Sequence, residues 1–164
     1  MKIIVEKITD IDLARTACEF TMHSDAESKA TLHQLYKSEH SPIRTQLFKI
    51  KMYDIPTSAS VHFVRHSAVG QLHYVKTNRP DRGAKEVADR DTPVNHLMIL
   101  NSQHLIDMAR QRLCYKAAPE TGRVMERITN EITLVDDALG FYMMPNCQYR
   151  NMCPEMKSCG KMGY

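Results

Sequence analysis

A chain of 164 residues with 43% apolar side chains is long enough to bury a core as one domain. Its 22 basic and 19 acidic residues leave a net charge of +3 with no Lys/Arg run, which argues against a nucleic-acid partner, since phosphate-backbone binders concentrate basic charge on one face. Apolar stretches such as Leu97-Met98-Ile99-Leu100 fall far short of the roughly 20 residues that span a bilayer, and Met1 to Ile8 lacks an apolar signal core, so the expected setting is soluble and cytoplasmic, without a membrane partner.

Residues 2 to 8 alternate like a strand. Asp10 to Met22 reads as a helix with an acidic first turn and apolar positions at Ile11, Leu13, Ala14, Ala17 and Cys18. Ser24 and Asp25 are natural N-caps for a second helix over 26 to 38, and Pro42 forbids its continuation. Ile43 to Tyr53 alternates as a long strand, and Pro56-Thr57-Ser58 opens a short helix carrying Arg65 and His66. Gln71 to Asn78 predicts another strand, and Arg79 to Thr92 a polar loop without core positions. From Val94 to Cys114 the spacing of Leu97, Leu100, Leu105, Met108, Ala109 and Leu113 predicts a helix, as does the pattern from Pro119 to about Leu139. The expected molecule is an α+β protomer with a small antiparallel or mixed sheet and several helices. It divides into a domain over 1 to 140 and a cysteine-bearing tail over 141 to 164.

Five cysteines, an odd number, argue against a disulfide framework and for a reducing compartment. Cys18 and Cys114 fall in helical patterns as small hydrophobes. Cys147, Cys153 and Cys159 recur every six residues among turn formers. Three such thiols could hold zinc with a fourth ligand from elsewhere, but the spacing is not the paired C-x-x-C form, and a tail packed by its own side chains, with no metal, is the favoured reading.

The polar residues gather at the predicted helix-to-strand junction, where His62, Arg65, His66 and His73 lie within a dozen positions. Ligand-facing side chains often sit at such a junction, and ordinary amphipathic residues at an element boundary give the same pattern. The following loop sets Arg79, Arg82 and Arg90 beside Asp81, Asp89 and Asp91. It is either a substrate-gating or phosphate-facing segment or a solvated surface loop. Arginine matters here because its planar fork grips a phosphate or a pyrimidine carbonyl edge in two contacts. Arg110 and Arg112 close a predicted helix, followed by Glu120 and Arg123. No Ser/His/Asp order, Walker loop, dinucleotide-binding glycine fingerprint or H-E-x-x-H motif is present, which removes several common enzyme classes.

Taken in order, Ser38-Glu39-His40 before a long strand, Phe63-Val64-Arg65-His66 on the next helix, and Asn101 with Leu105 and Arg112 followed by Ala117 and Glu120 resemble the flavin-dependent thymidylate synthases over roughly residues 10 to 130. The charged stretch Thr77 to Arg82 and the cysteine tail are more like a divergent, often phage-encoded branch. The resemblance implies a homotetramer with flavin adenine dinucleotide (FAD) between subunits and a pyrimidine deoxynucleotide stacked near the flavin ring. It further implies one-carbon transfer from methylenetetrahydrofolate to C5 of dUMP, with NADPH as reductant. On this reading His40, Arg65, His66 and Asn101 face the cofactor. His62, Arg79, Arg82 and Arg112 face the nucleotide, with Arg112 activating the pyrimidine edge.

The same resemblance exposes departures. Ser67 stands where the family has a second arginine, His62 where it has a glutamine, and Gly70, His73, Val75 and Thr77 where it has a serine, a glutamate, a serine and an arginine. Arg79, shifted by two positions, could restore a phosphate contact, and His73 is the candidate to take the glutamate's catalytic place. A changed pocket fits a changed substrate or product, such as dCMP or a hydroxymethylated base. It equally fits a non-catalytic nucleotide- or partner-binding module that keeps the fold.

Overall fold

Four strands make the frame, and the computed structural model describes residues 1–23, 26–66, 71–77, 79–84 and 89–162. β1 (Lys2–Lys7), β2 (Leu47–Pro56), β3 (Leu72–Val75) and β4 (Pro93–Asn101) form one antiparallel sheet in the order β1-β2-β4-β3. Register places Val5, Ile50, Met98 and His73 in one row, and Ile3, Met52, His96 and Val75 in the next. Because opposed residues share a face, these rows lie on the same side of the sheet. That side is covered. Phe48, Ile50, Met52, Ile55, Met98 and Leu100 are buried with Phe63, Leu105, Ile106, Met108, Val124, Met125 and Ile128, each worth roughly 1.5–3 kcal/mol of apolar transfer. The opposite face leaves Ile4, Leu72 and Tyr74 exposed.

Among the described residues, seven α-helices follow the sequence signals with several shifts. α1 (Ile11–Glu19) starts at the Asp10 carboxylate, which accepts from the backbone N–H groups of Asp12 and Leu13. α2 (Leu32–Ser38) is shorter than the expected 26 to 38. Its start is set by a reciprocal capping box between Thr31 and Gln34, and its end by Glu39 in the left-handed region at φ 48°. Ser24 and Asp25, the expected caps, lie outside the described residues, as do Ser67, Gly70 and Asn78. The expected strand from Ile43 begins instead at Leu47, because Pro42 opens a 3-10 turn over Ser41–Thr45. α3 (Thr57–Val64) ends one residue early for the expected pair: Arg65 is its C-cap and His66 follows.

The largest correction falls on Val94 to Cys114, which is not one helix but β4 followed by α4 (Ser102–Arg112). Val94, His96, Met98 and Leu100 are buried in strict alternation, a period of two that the leucine spacing masked. Asn101 marks the switch: its side chain accepts from His104 N at 3.1 Å as the N-cap of α4. The expected helix from Pro119 to Leu139 likewise divides at Asp136, giving α5 (Pro119–Val135) and α6 (Asp137–Tyr142). Asp136 ties this joint to the rest of the fold, accepting from Lys7 Nζ at 2.7 Å, Tyr36 Oη at 2.9 Å and Leu139 N at 3.0 Å. A five-residue α7 (Asn146–Arg150) lies in the tail. No helix of the described residues is long and apolar enough to cross a membrane.

Candidate functional site

The junction singled out from sequence is where α3, the end of α4 and the start of α5 meet beside strands β3 and β4. α3 turns Ala59, Ser60 and Phe63 inward, which leaves His62 half-buried, Arg65 exposed and His66 half-buried at its end. α4 brings Arg112 to the same place. Its Nε donates to His66 Nε2 at 2.6 Å and its Nη2 to the His62 carbonyl at 3.4 Å. His62 Nδ1 lies 2.7 Å from Thr121 Oγ1 on α5. The structure thus brings four predicted site residues, His62, Arg65, His66 and Arg112, into one cluster.

The electrostatics of this cluster are unusual. Both partners of Arg112 are neutral acceptors, and no carboxylate pairs with it among the described residues. Burial, together with the charge of Arg65, pulls its guanidinium below the ordinary arginine value. Burial, then Arg112, lowers His66 to about 4 and depresses His62 as well. At neutral pH both rings are therefore uncharged, and the Arg112 Nε–H bond fixes the His66 proton on Nδ1. A half-buried cation with no counter-charge suits a ligand carbonyl or an anion.

A second chain of groups runs beside it. Ser60 Oγ meets His96 Nδ1 at 3.1 Å, His96 Nε2 meets His73 Nδ1 at 3.0 Å, and His73 Nε2 meets Gln71 Oε1 at 3.3 Å. Gln71's carbonyl oxygen makes His73 Nε2 the donor, so His73 Nδ1 accepts from His96 and His96 Nδ1 accepts from Ser60. Burial lowers His73, and burial with His73 lowers His96 to about 4, so both are neutral at physiological pH. The polar end of this relay, His73, lies half-buried on the edge strand β3.

The remaining expected residues lie elsewhere. His40 is exposed at the start of the Ser41–Thr45 turn, and Asn101 spends its side-chain oxygen capping α4. Arg79 is exposed and engaged bidentately with Asp81 at 2.9 and 2.7 Å, and Arg82 is exposed in the same turn. Cys147 and Cys153 are half-buried and Cys159 exposed, all three free, and no three His, Cys, Asp or Glu side chains converge among the described residues. His96, Ser60 and Thr121 join these networks although no motif marks them in the sequence. The one signal for His96 is its alternation with Val94 and Met98. Around Arg112, α4, α5 and the tail enclose a hollow of about 640 Å³ that also takes in Arg123 and Lys161.

No family model and no curated protein matches the chain. The fold has solved counterparts. One is the flavin-dependent thymidylate synthase ThyX from Helicobacter pylori complexed with FAD and dUMP, with a TM-score of 0.70 and 12% identity over 88% of this chain and 100% of that one. A second structure of ThyX from H. pylori with FAD and dUMP gives a TM-score of 0.68 and 12% identity over 85% of this chain and 99% of that chain. The UMP/dUMP methylase PolB from Streptomyces cacaoi, bound with 5-Br dUMP, gives 0.63 and 13% over 86% of this chain and 94% of its own. At these identities the architecture is what is shared, and the chain therefore has the fold of the flavin-dependent thymidylate synthases.

Proposed function

We propose that the protein is a flavin-dependent pyrimidine C5 one-carbon transferase, acting as a homotetramer on dUMP or dCMP to give a methylated or hydroxymethylated base. The observation that carries this reading is Arg112, a half-buried guanidinium with only neutral partners at the end of α4. Its two contacts leave donor capacity for the carbonyl edge of a pyrimidine, where it would stabilise negative charge as C5 is activated. The solved neighbours, complexed with FAD and dUMP, support the ligand class.

The residues present fit a flavin dinucleotide: Arg65 is an exposed cation, and neutral His66 and His62 add polar atoms without competing charge. FAD, when bound, would supply reducing equivalents drawn from NADPH, with methylenetetrahydrofolate as the one-carbon donor. Arg65 and His66 are assigned to the cofactor side and Arg112 and His62 to the nucleotide; His40 and Asn101 toward the cofactor, and Arg79 and Arg82 toward the nucleotide, lie away from this cluster and would reach a ligand held between subunits of the tetramer. His73 Nδ1, held as an acceptor by His96, leaves the proton on Nε2, which would pass from Gln71 Oε1 to a ligand for His73 to serve as the proton donor.

Purified protein is expected to bind added FAD, showing a flavin absorbance band bleached by dithionite, and to convert dUMP or dCMP with isotope-labelled methylenetetrahydrofolate into a labelled product seen by mass spectrometry. A protein that takes up no flavin would overturn the assignment. Nucleotide binding by such colourless protein would favour the non-catalytic binding module.

A further inference from the structure

Pro119, Gly122, Arg123 and Glu126 share one flank of α5 at helical spacing, and Thr121, the partner of His62, is buried on another side of that helix. That flank, the turn after α4 and the tail enclose the hollow of about 640 Å³. Two thiols line it, Cys114, half-buried in the turn, and Cys159, exposed in the tail. Both are free. Cys18 is buried in α1, and Cys147 and Cys153 are half-buried outside the lining of this hollow.

Contacts on either side of these thiols already bring the two segments together. Lys161 Nζ lies 3.8 Å from the centre of the Tyr115 ring, next to Cys114 in the chain. Lys116 Nζ donates to the Lys157 carbonyl at 2.8 Å and lies 3.7 Å from a Glu155 carboxylate oxygen. Cys114 thus directly precedes, and Cys159 lies between, residues that touch across the hollow. Tyr115, Lys116 and Lys161 are exposed, and solvated contacts of this kind hold a segment only weakly. The tail is therefore tethered to the turn rather than locked on it. Gly160, beside Cys159, takes φ 78°, and a Cβ there would meet nothing within 4 Å, so the chain at Cys159 has open space around it. A disulfide needs Cα atoms within about 7 Å, which a small swing of so lightly held a segment supplies.

We propose that Cys114 and Cys159 are a reversible redox pair, closed to a disulfide by a peroxide. The more exposed sulfur, Cys159, attacks one peroxide oxygen; the O–O bond breaks, hydroxide leaves and a sulfenic acid remains. The Cys114 thiolate then attacks that sulfur, forming the S–S bond and breaking the S–O bond as a second hydroxide departs. The two thiol protons turn both hydroxides into water, and two electrons pass from the sulfurs to the peroxide. A dithiol reductant reopens the bridge by exchange. Two free thiols on one hollow, in a chain with an odd cysteine count, fit a transient bridge rather than a structural framework. Closed, the bridge fastens the tail to the turn two residues beyond Arg112 and narrows the hollow; it does not depend on any flavin chemistry.

Each cysteine lies on its own tryptic peptide, Cys114 on Leu113–Lys116 and Cys159 on Ser158–Lys161, so the bridge can be mapped directly. The reduced full chain is treated with hydrogen peroxide, alkylated, digested without reductant and analysed by mass spectrometry. These two peptides are expected to appear joined, with the alkylated thiols falling from five to three and all five returning after dithiothreitol. Cys114→Ser and Cys159→Ser should each lose the bridge and Cys153→Ser keep it. Trypsin should cut the intact chain after Lys157 about tenfold more slowly once the bridge has formed. Cys159 joined instead to Cys147 or Cys153, oxidised to sulfinic acid with Cys114 still free, or left unreacted would overturn the pair. Failure of flavin uptake with the Cys114–Cys159 bridge intact would overturn the proposed reaction and leave the pair standing.

Discussion

Arg110 and Arg112 stand two residues apart on α4 in opposite electrostatic settings. Arg110 is paired with Glu39 and Asp107 and lies 3.7 Å over the Tyr149 ring. Burial alone would raise the Glu39 carboxyl, but hydrogen bonds from Arg110, Gln103 and Tyr149 outweigh it and hold Glu39 below the usual carboxylate range. Arg110 therefore fastens α4 to the α2 end and the tail. Arg112, with neutral partners, has charge to give a ligand. Arg112→Gln is expected to lower pyrimidine turnover by about 10²–10³-fold while moving the thermal midpoint by only a few degrees; equal loss of stability and activity would assign it to structure instead. For the relay, long-range ¹H–¹⁵N spectra should show wild-type His73 neutral at pH 7.5 and protonated on Nε2. His96→Asn should give mixed tautomers, and a His73 spectrum unchanged by that substitution would remove the positioning role of His96.

At the scale of elements, the site depends on joints rather than on long helices. The break at Asp136 lets α6 fold back on α5 so closely that a Cβ at Gly140 would lie 2.2 Å from Thr133 Oγ1 and 3.0 Å from its Cα. The side chain can rotate away; the backbone cannot. Gly140→Ala should cost about 1–3 kcal/mol by overpacking, read as a lower urea midpoint with unchanged slope, and a midpoint equal to wild type would show that the two helices can separate without cost. At the other end of the sheet, α3 is fixed to the charged loop by three hydrogen bonds to the carbonyls of Arg90 and Thr92, which makes that loop one wall of a cavity.

For the whole molecule, stability and site share the same neutral histidines. His66 and His96, both lowered chiefly by burial from 6.5 to about 4, bind fewer protons folded than unfolded. Their contribution is complete above pH 6.5 and is lost as pH falls through 6.5 toward 4. The urea midpoint should therefore fall across that interval, and His96→Gln should flatten the fall; a midpoint constant from pH 6.5 to 4.5 would contradict buried neutral rings.

The linear order carries the α+β class, most element positions and the Arg65–His66 landmark, because alternation, proline stops and capping residues act locally. It also pointed to His62 and Arg112, which the fold brings together from α3 and α4. That β4 is a strand follows from long-range pairing, since Leu97, Leu100 and Leu105 satisfy helical spacing until the pairing of Met98 with Ile50 and His73 fixes a period of two. With that register His96 comes to lie between Ser60 and His73, and a contact of 3.0 Å across neighbouring strands leaves no trace in the linear order. Arg90 shows the same limit: the composition of its loop fits a ligand-facing segment and a solvated one equally, and only the backbone hydrogen bonds to α3 place it in the wall of a cavity.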